Sequence, residues 1–75
     1  MAQETLQGEW VPLSSSNVRA ARYDADLRTL SVMFQSGAEY DYYEVPQTVA
    51  DGLFNSSSPG RYVRNELSGY EYSGG

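Results

Sequence analysis

The spacing of the apolar residues changes partway along this 75-residue chain, and the change limits the folds that it can adopt. Before Pro46, apolar residues alternate with polar ones, which is the period of a strand with one buried face. After Pro46 they recur at helical spacing. Strands followed by helices predict an α+β fold: a three-stranded antiparallel meander followed by two short helices packed on one face.

The three predicted strands span residues 18–23, 28–34 and 38–43. Short polar turns separate them, and such connections join antiparallel neighbours. The helices are predicted over 46–55 and 59–67, with Pro46 at the first position of the first helix. The residues expected in the core are Leu30, Val32, Phe34, Val49, Leu53 and Leu67, together with Tyr40 and Tyr42, which share a strand face with Ala38.

The ordered domain is predicted to cover residues 10–72, between a flexible arm (1–9) and a flexible tail (73–75). The polar, acidic start does not resemble a secretory leader. No apolar run approaches the roughly 20 residues that span a bilayer. We therefore expect a cytoplasmic protein that has no membrane contact.

Composition argues against an enzyme. The chain has no cysteine and no histidine, and all five of its basic residues are arginine, so the usual nucleophiles, bases and metal ligands are missing. Glu39, Asp41 and Glu44 are the densest carboxylates, and an acid–base pair or a calcium site is the alternative to a solvated strand face. We expect no catalytic residue, no metal and no cofactor.

The net charge of −5 also argues against a protein dedicated to duplex nucleic acid, which usually has a basic surplus. Arginine nevertheless suits phosphate and carboxylate better than lysine does, because its planar fork donates two parallel hydrogen bonds.

The most promising binding segment is the predicted start of the second helix. Ser58 fits the N-cap and Pro59 the first helical position, so the free N–H groups of the first turn would favour an anion. The candidate ligand-binding residues are Ser58, Gly60, Arg61, Tyr62 and Arg64, together with Tyr43 from the third strand. The serine run 14–16 is a second, separate candidate for holding an anion.

Several short motifs occur in an order that resembles the KTSC domain. They are Ser14-Ser15, Tyr23-Asp24 with Leu30, Gly37, the run Tyr40 to Pro46, Ser57, the run Gly60 to Tyr62, and the run Gly69 to Tyr72. This short domain occurs at the C-terminus of some lysyl-tRNA synthetases and alone in bacterial and phage proteins. The resemblance implies a small α+β fold more than an activity, and RNA binding is suggested for the family by its association with the synthetases.

Two hypotheses for function follow. The first is a non-catalytic module that binds single-stranded RNA or a nucleotide-like anion, because tyrosine and arginine together suit base stacking and phosphate. The second is a protein-interaction or self-assembling accessory module of bacterial or phage origin, because the same two residue types are enriched at protein interfaces.

Overall fold

The computed structural model describes residues 9–74, which form one antiparallel sheet and two helices. The arm predicted over residues 1–9 and the end of the predicted tail therefore lie almost wholly outside the described residues. In chain order the elements are β1 (Val11–Pro12), β2 (Val18–Asp24), β3 (Thr29–Phe34), β4 (Glu39–Tyr42), α1 (Gln47–Phe54), α2 (Pro59–Glu66) and β5 (Tyr72–Gly74).

The sheet has five strands in the order β1-β2-β3-β4-β5, each antiparallel to the next. The predicted meander is confirmed as its centre, but the prediction of three strands is wrong. The two edge strands have two and three residues, too few to show an alternating pattern. Ser73 and Gly74, assigned from the sequence to the flexible tail, belong to β5. Their pairing with β4 outweighs the weak strand preference of glycine.

Both predicted helices are present. Ser58 is the N-cap of α2 and Pro59 its first residue, as predicted. Pro46 was predicted one position too far into α1, because its extended backbone (φ −67°, ψ 154°) makes it the N-cap. Neither helix of the described chain is long and apolar enough to cross a membrane.

The core lies between the sheet and the two helices. Leu30 and Val32 from β3 pack with Leu53 and Leu67, and all four are fully buried as predicted. Phe34 and Val49 pack against this core but are only half-buried. Phe34 is the last residue of β3, and Val49 is in the first turn of α1, so the prediction placed both too deep.

The turn between β2 and β3 is held by a buried carboxylate. Asp24 accepts hydrogen bonds from the backbone N–H groups of Asp26 (2.9 Å) and Leu27 (3.1 Å). Arg28 follows with φ 55°, in the left-handed region. Because Asn17 and Arg28 flank opposite ends of the β2–β3 pair, this turn lies at the far end from the serine run.

The sheet face opposite the core carries polar contacts. Ser31 is fully buried, and its hydroxyl donates to Asp41 at 2.7 Å. The guanidinium of Arg22 lies 4.5 Å from the ring centroid of Trp10. Asp41 is thus used structurally, and residues 9–74 contain no group of three metal-ligating side chains of the type considered for Glu39, Asp41 and Glu44.

Candidate phosphate-binding cleft

The start of α2 is open for a ligand. The first intrahelical bond runs from the N–H of Tyr62 to the carbonyl of Ser58 at 2.9 Å, which leaves the N–H groups of Gly60 and Arg61 in the first turn outside the helical ladder. The hydroxyl of Ser58 makes no capping bond within the described chain. Local positive potential therefore remains at this end of the helix.

The serine run forms a fixed loop rather than a loose one. The Ser15 hydroxyl accepts hydrogen bonds from the backbone N–H groups of Asn17 and Val18, both at 3.1 Å. Gln35, in the turn after β3, donates its side-chain amide to the carbonyl of Ser15 and its backbone N–H to that of Asn17. These bonds attach the loop to the end of the β2–β3 pair.

The loop and the helix meet at Gly60. A Cβ added there would lie 3.1 Å from the Cβ of Asn17, so Asn17 would have to move by a few tenths of an ångström to accept it. Glycine therefore suits the close approach of the loop and the helix.

Together the two elements enclose a cleft of about 320 Å³. Its walls contain hydroxyl, amide and guanidinium groups but no carboxylate, although the chain has ten acidic residues. Two of the five arginines line it. The lining residues are Ser14, Ser15, Ser16, Asn17, Ser57, Ser58, Pro59, Gly60, Arg61 and Arg64.

The structure thus brings four of the sequence candidates together: Ser58, Gly60, Arg61 and Arg64. It also joins them to the serine run, which the sequence presented as a separate candidate. Sequence spacing could not reveal this, because more than half of the chain separates the two segments.

Tyr62 does not line the cleft. Its hydroxyl donates to the carbonyl of Val49 at 2.8 Å, and its ring lies over Gly52, so it joins α2 to α1. Burial raises the pKa of Tyr62 above its ordinary value, and the nearby Glu66 and Tyr70 raise it further. We therefore assign Tyr62 to helix packing.

Tyr43 is also distant from the cleft. Its hydroxyl is hydrogen-bonded to that of Ser73 at 2.5 Å, and its ring borders a different hollow that contains Glu44 and Glu71. Acidic neighbours make that hollow a poor place for a phosphate.

Three aromatic residues lie near the cleft, and two of them, Phe34 and Tyr40, were not considered for ligand binding from the sequence. Phe34, Tyr40 and Tyr72 form an aromatic shelf on the helix side of β3, β4 and β5. The sequence assigned Tyr40 and Tyr42 to the core; Tyr42 is buried beneath the shelf, whereas Tyr40 is only half-buried. The pairing of β5 with β4 brings Tyr72 to the other two rings, and this pairing could not be predicted from the sequence.

Comparison with known proteins agrees with this fold. The model of the KTSC domain family matches residues 14–72. The crystal structure of a KTSC domain protein from Yersinia pestis superposes with a TM-score of 0.85 at 26% sequence identity, covering 91% of this chain and 97% of that one.

Sequence relatives are of two kinds. A small protein of Tsukamurella paurometabola is 46% identical over 52 residues, which are 69% of this chain and 78% of that protein. A lysine–tRNA ligase of Nostoc sp. is 39% identical over 54 residues, which are 72% of this chain but only 10% of the ligase. The fold, the family match and these relatives lead to one conclusion: the chain belongs to the KTSC domain family.

Proposed function

We propose that this domain is a non-catalytic binding module that holds a phosphate group of single-stranded RNA, or of a nucleotide-like anion, in the cleft between the serine loop and α2. One observation carries the proposal: two polar segments distant in sequence form a single cleft that has two arginines and no carboxylate. A cytoplasmic setting, where single-stranded RNA occurs, fits this function.

The chemistry of the cleft suits a phosphate. Arg61 and Arg64 are three residues apart on α2, so their guanidinium groups project from one side of the helix. Both are exposed and can reach a ligand at the mouth of the cleft. The serine hydroxyls and the first-turn N–H groups of α2 add uncharged donors, as is common where helices bind anions.

The same composition favours binding over catalysis. A serine nucleophile needs a neighbouring base, and the cleft is lined by no carboxylate, histidine or lysine. Its serines are therefore suited to donating hydrogen bonds to a ligand.

The relatives support RNA as the ligand class. One of them is named a lysine–tRNA ligase, an enzyme whose name gives tRNA as a substrate, and the matching segment is about a tenth of its length. A segment of that size is suited to an accessory contact with RNA rather than to the ligation.

The double variant Arg61→Ala/Arg64→Ala tests the cleft. We expect it to weaken binding of a short, fluorescently labelled oligoribonucleotide by about tenfold or more, since hydrogen bonds to charged groups contribute about 1.5–3 kcal/mol. Fluorescence anisotropy at several salt concentrations measures the affinity. The slope of log affinity against log salt should flatten by about 0.7, since the cleft holds one phosphate and each phosphate neutralised on a single strand contributes about 0.7.

Arg28→Ala is the matched control, because it removes one exposed arginine at the far end of the β2–β3 pair. It should leave the salt slope of the wild type unchanged. A control loss of about half that of the double variant, in log affinity, is what total charge alone would produce and would reject the cleft. The melting temperature of the double variant should stay close to that of the wild type, because both side chains are exposed.

The alternative is a protein-interaction or self-assembling module, and one observation favours it. β5 is an edge strand whose residues are all exposed, and an unpaired edge can accept another chain. A homo-oligomer in light scattering, or a protein partner bound without any affinity for RNA, would support this alternative.

A further inference from the structure

Three hollows share lining residues with the cleft, and two of them are lined by aromatic rings of the sheet. The larger, of about 380 Å³, lies between α2 and strands β4 and β5 and shares Arg64 with the cleft. The smaller, of about 280 Å³, lies beside the β3–β4 turn and shares Asn17 with the cleft. Tyr40 and Tyr42 line both hollows. The two hollows therefore border the cleft at Asn17 and at Arg64, and they share the rings of Tyr40 and Tyr42.

The rings of the aromatic shelf contact one another at tilted and edge-on angles, and that of Tyr72 is the most exposed of the three. Tyr72 is 57% exposed, and its ring centroid lies 5.5 Å from that of Tyr40 and 5.7 Å from that of Tyr42. Phe34 meets Tyr40 edge-on, at 5.5 Å and 88°. Tyr42 is buried, whereas Tyr72 contacts the rings of Tyr40 and Tyr42 and is largely exposed to solvent.

The charge of the lining residues differs from one hollow to the next. Neither of the two hollows that Tyr40 and Tyr42 line has an acidic lining residue. The third hollow beside the cleft shares Ser58 and Arg61 with it and is lined by Glu66, and a separate hollow is lined by Glu44 and Glu71. In a chain of net charge −5, the cleft and the two hollows lined by Tyr40 and Tyr42 thus have no acidic lining residue, and Arg61 and Arg64 line the cleft.

We propose that the aromatic shelf stacks the bases of a single nucleic acid strand whose phosphate lies in the cleft. This inference rests on the proposed function and names its ligand more closely. A nucleotide unit joins a phosphate to a flat base, and the protein places an arginine-lined cleft beside exposed rings, with Arg64 lining both. A free phosphate would use only the cleft. In a duplex the bases are already stacked and paired, so they are not available to the shelf.

The variant Tyr72→Leu tests the contribution of the aromatic shelf separately from that of the cleft. Leucine retains apolar packing over Tyr40 and Tyr42 but removes the flat ring. The variant should bind a labelled single-stranded oligoribonucleotide about tenfold more weakly, the range that one stacked base supplies. Its affinity for an abasic oligonucleotide of the same length, and for inorganic phosphate, should match that of the wild type. The affinity for an oligodeoxyribonucleotide of the same sequence determines whether the strand is recognised through its bases alone or also through the 2′-hydroxyl of RNA.

Tyr43→Leu is the matched control, since it removes an exposed tyrosine beside the acidic hollow, and it should bind as the wild type does. Tyr72→Trp keeps a flat ring and should retain or increase the affinity. If Tyr72→Leu unfolds, the comparison of Tyr72→Trp with the wild type on base-bearing and abasic strands still tests the shelf.

The outcomes separate the two proposals. Equal binding of base-bearing and abasic strands would overturn the stacking proposal and leave the proposed phosphate cleft. The same conclusion would follow if Tyr72→Leu bound RNA with wild-type affinity while Arg61→Ala/Arg64→Ala bound it weakly. Absence of binding to every strand and to phosphate overturns both. Dissociation of a dimer by Tyr72→Leu in light scattering would assign the shelf to a second copy of the chain and also overturn the inference.

Discussion

Leu30→Ala is expected to lower the free energy of unfolding by about 2–5 kcal/mol, the usual range for truncating a buried leucine. Leu30 is fully buried in β3, the central strand of the sheet, where it pairs with Tyr23 on one side and Tyr42 on the other. Small domains are stable by only about 5 kcal/mol at the low end of the usual range, so the variant should be close to unfolding at room temperature. Urea denaturation followed by the fluorescence of Trp10 measures the change.

Leu27→Ala is the matched control for this prediction. Leu27 lies three residues earlier, in the turn, and is 61% exposed, so the same truncation should change stability by less than about 0.5 kcal/mol. A loss below about 1 kcal/mol for Leu30→Ala would mean that the core is not centred on β3.

Gly52→Ala is expected to destabilise the domain, although helix propensity alone predicts a gain of about 1 kcal/mol. A Cβ at this position in α1 would lie 2.1 Å from the hydroxyl oxygen of Tyr62 and 2.8 Å from the ring carbon that carries it. The ring must move, and the hydrogen bond from Tyr62 to the carbonyl of Val49 is lost. Overpacking costs about 1–3 kcal/mol and the lost bond about 1, so the net loss should be about 1–3 kcal/mol.

The double variant Gly52→Ala/Tyr62→Ala provides the control. Without the ring above it, the added methyl group has room, so in the Tyr62→Ala background Gly52→Ala should be neutral or stabilising. Thermal denaturation of the four proteins in this cycle measures the coupling. A higher melting temperature for Gly52→Ala in the wild-type background would show that the two helices do not meet at this point.

Much of the fold could be predicted from the sequence because the decisive signals were local. Alternation specified β2, β3 and β4, and Ser58-Pro59 marked the start of α2. The sequence indicated extended segments near Pro12 and Tyr72 but not their place in the sheet, because a three-residue strand that contains Ser73 and Gly74 is stabilised by its partner and not by its own preference.

The candidate site was predictable only in part, for the same reason. The spacing of Arg61 and Arg64 placed them together because helical periodicity is local. The approach of the serine loop to Gly60 depends on how the completed sheet carries residues 14–17 past α2. The aromatic shelf depends on β5, whose pairing brings Tyr72 to Tyr42, so its third ring could not be assigned in advance.

An NMR titration of the ¹⁵N-labelled protein with a short single-stranded oligoribonucleotide tests the central claim most directly. The account predicts that the largest backbone amide shifts occur at Ser15, Gly60 and Arg61, around the cleft, and that Arg61→Ala/Arg64→Ala strongly reduces them. Shifts concentrated instead at Tyr43 and Glu71, or no shifts at saturating oligonucleotide, would contradict it.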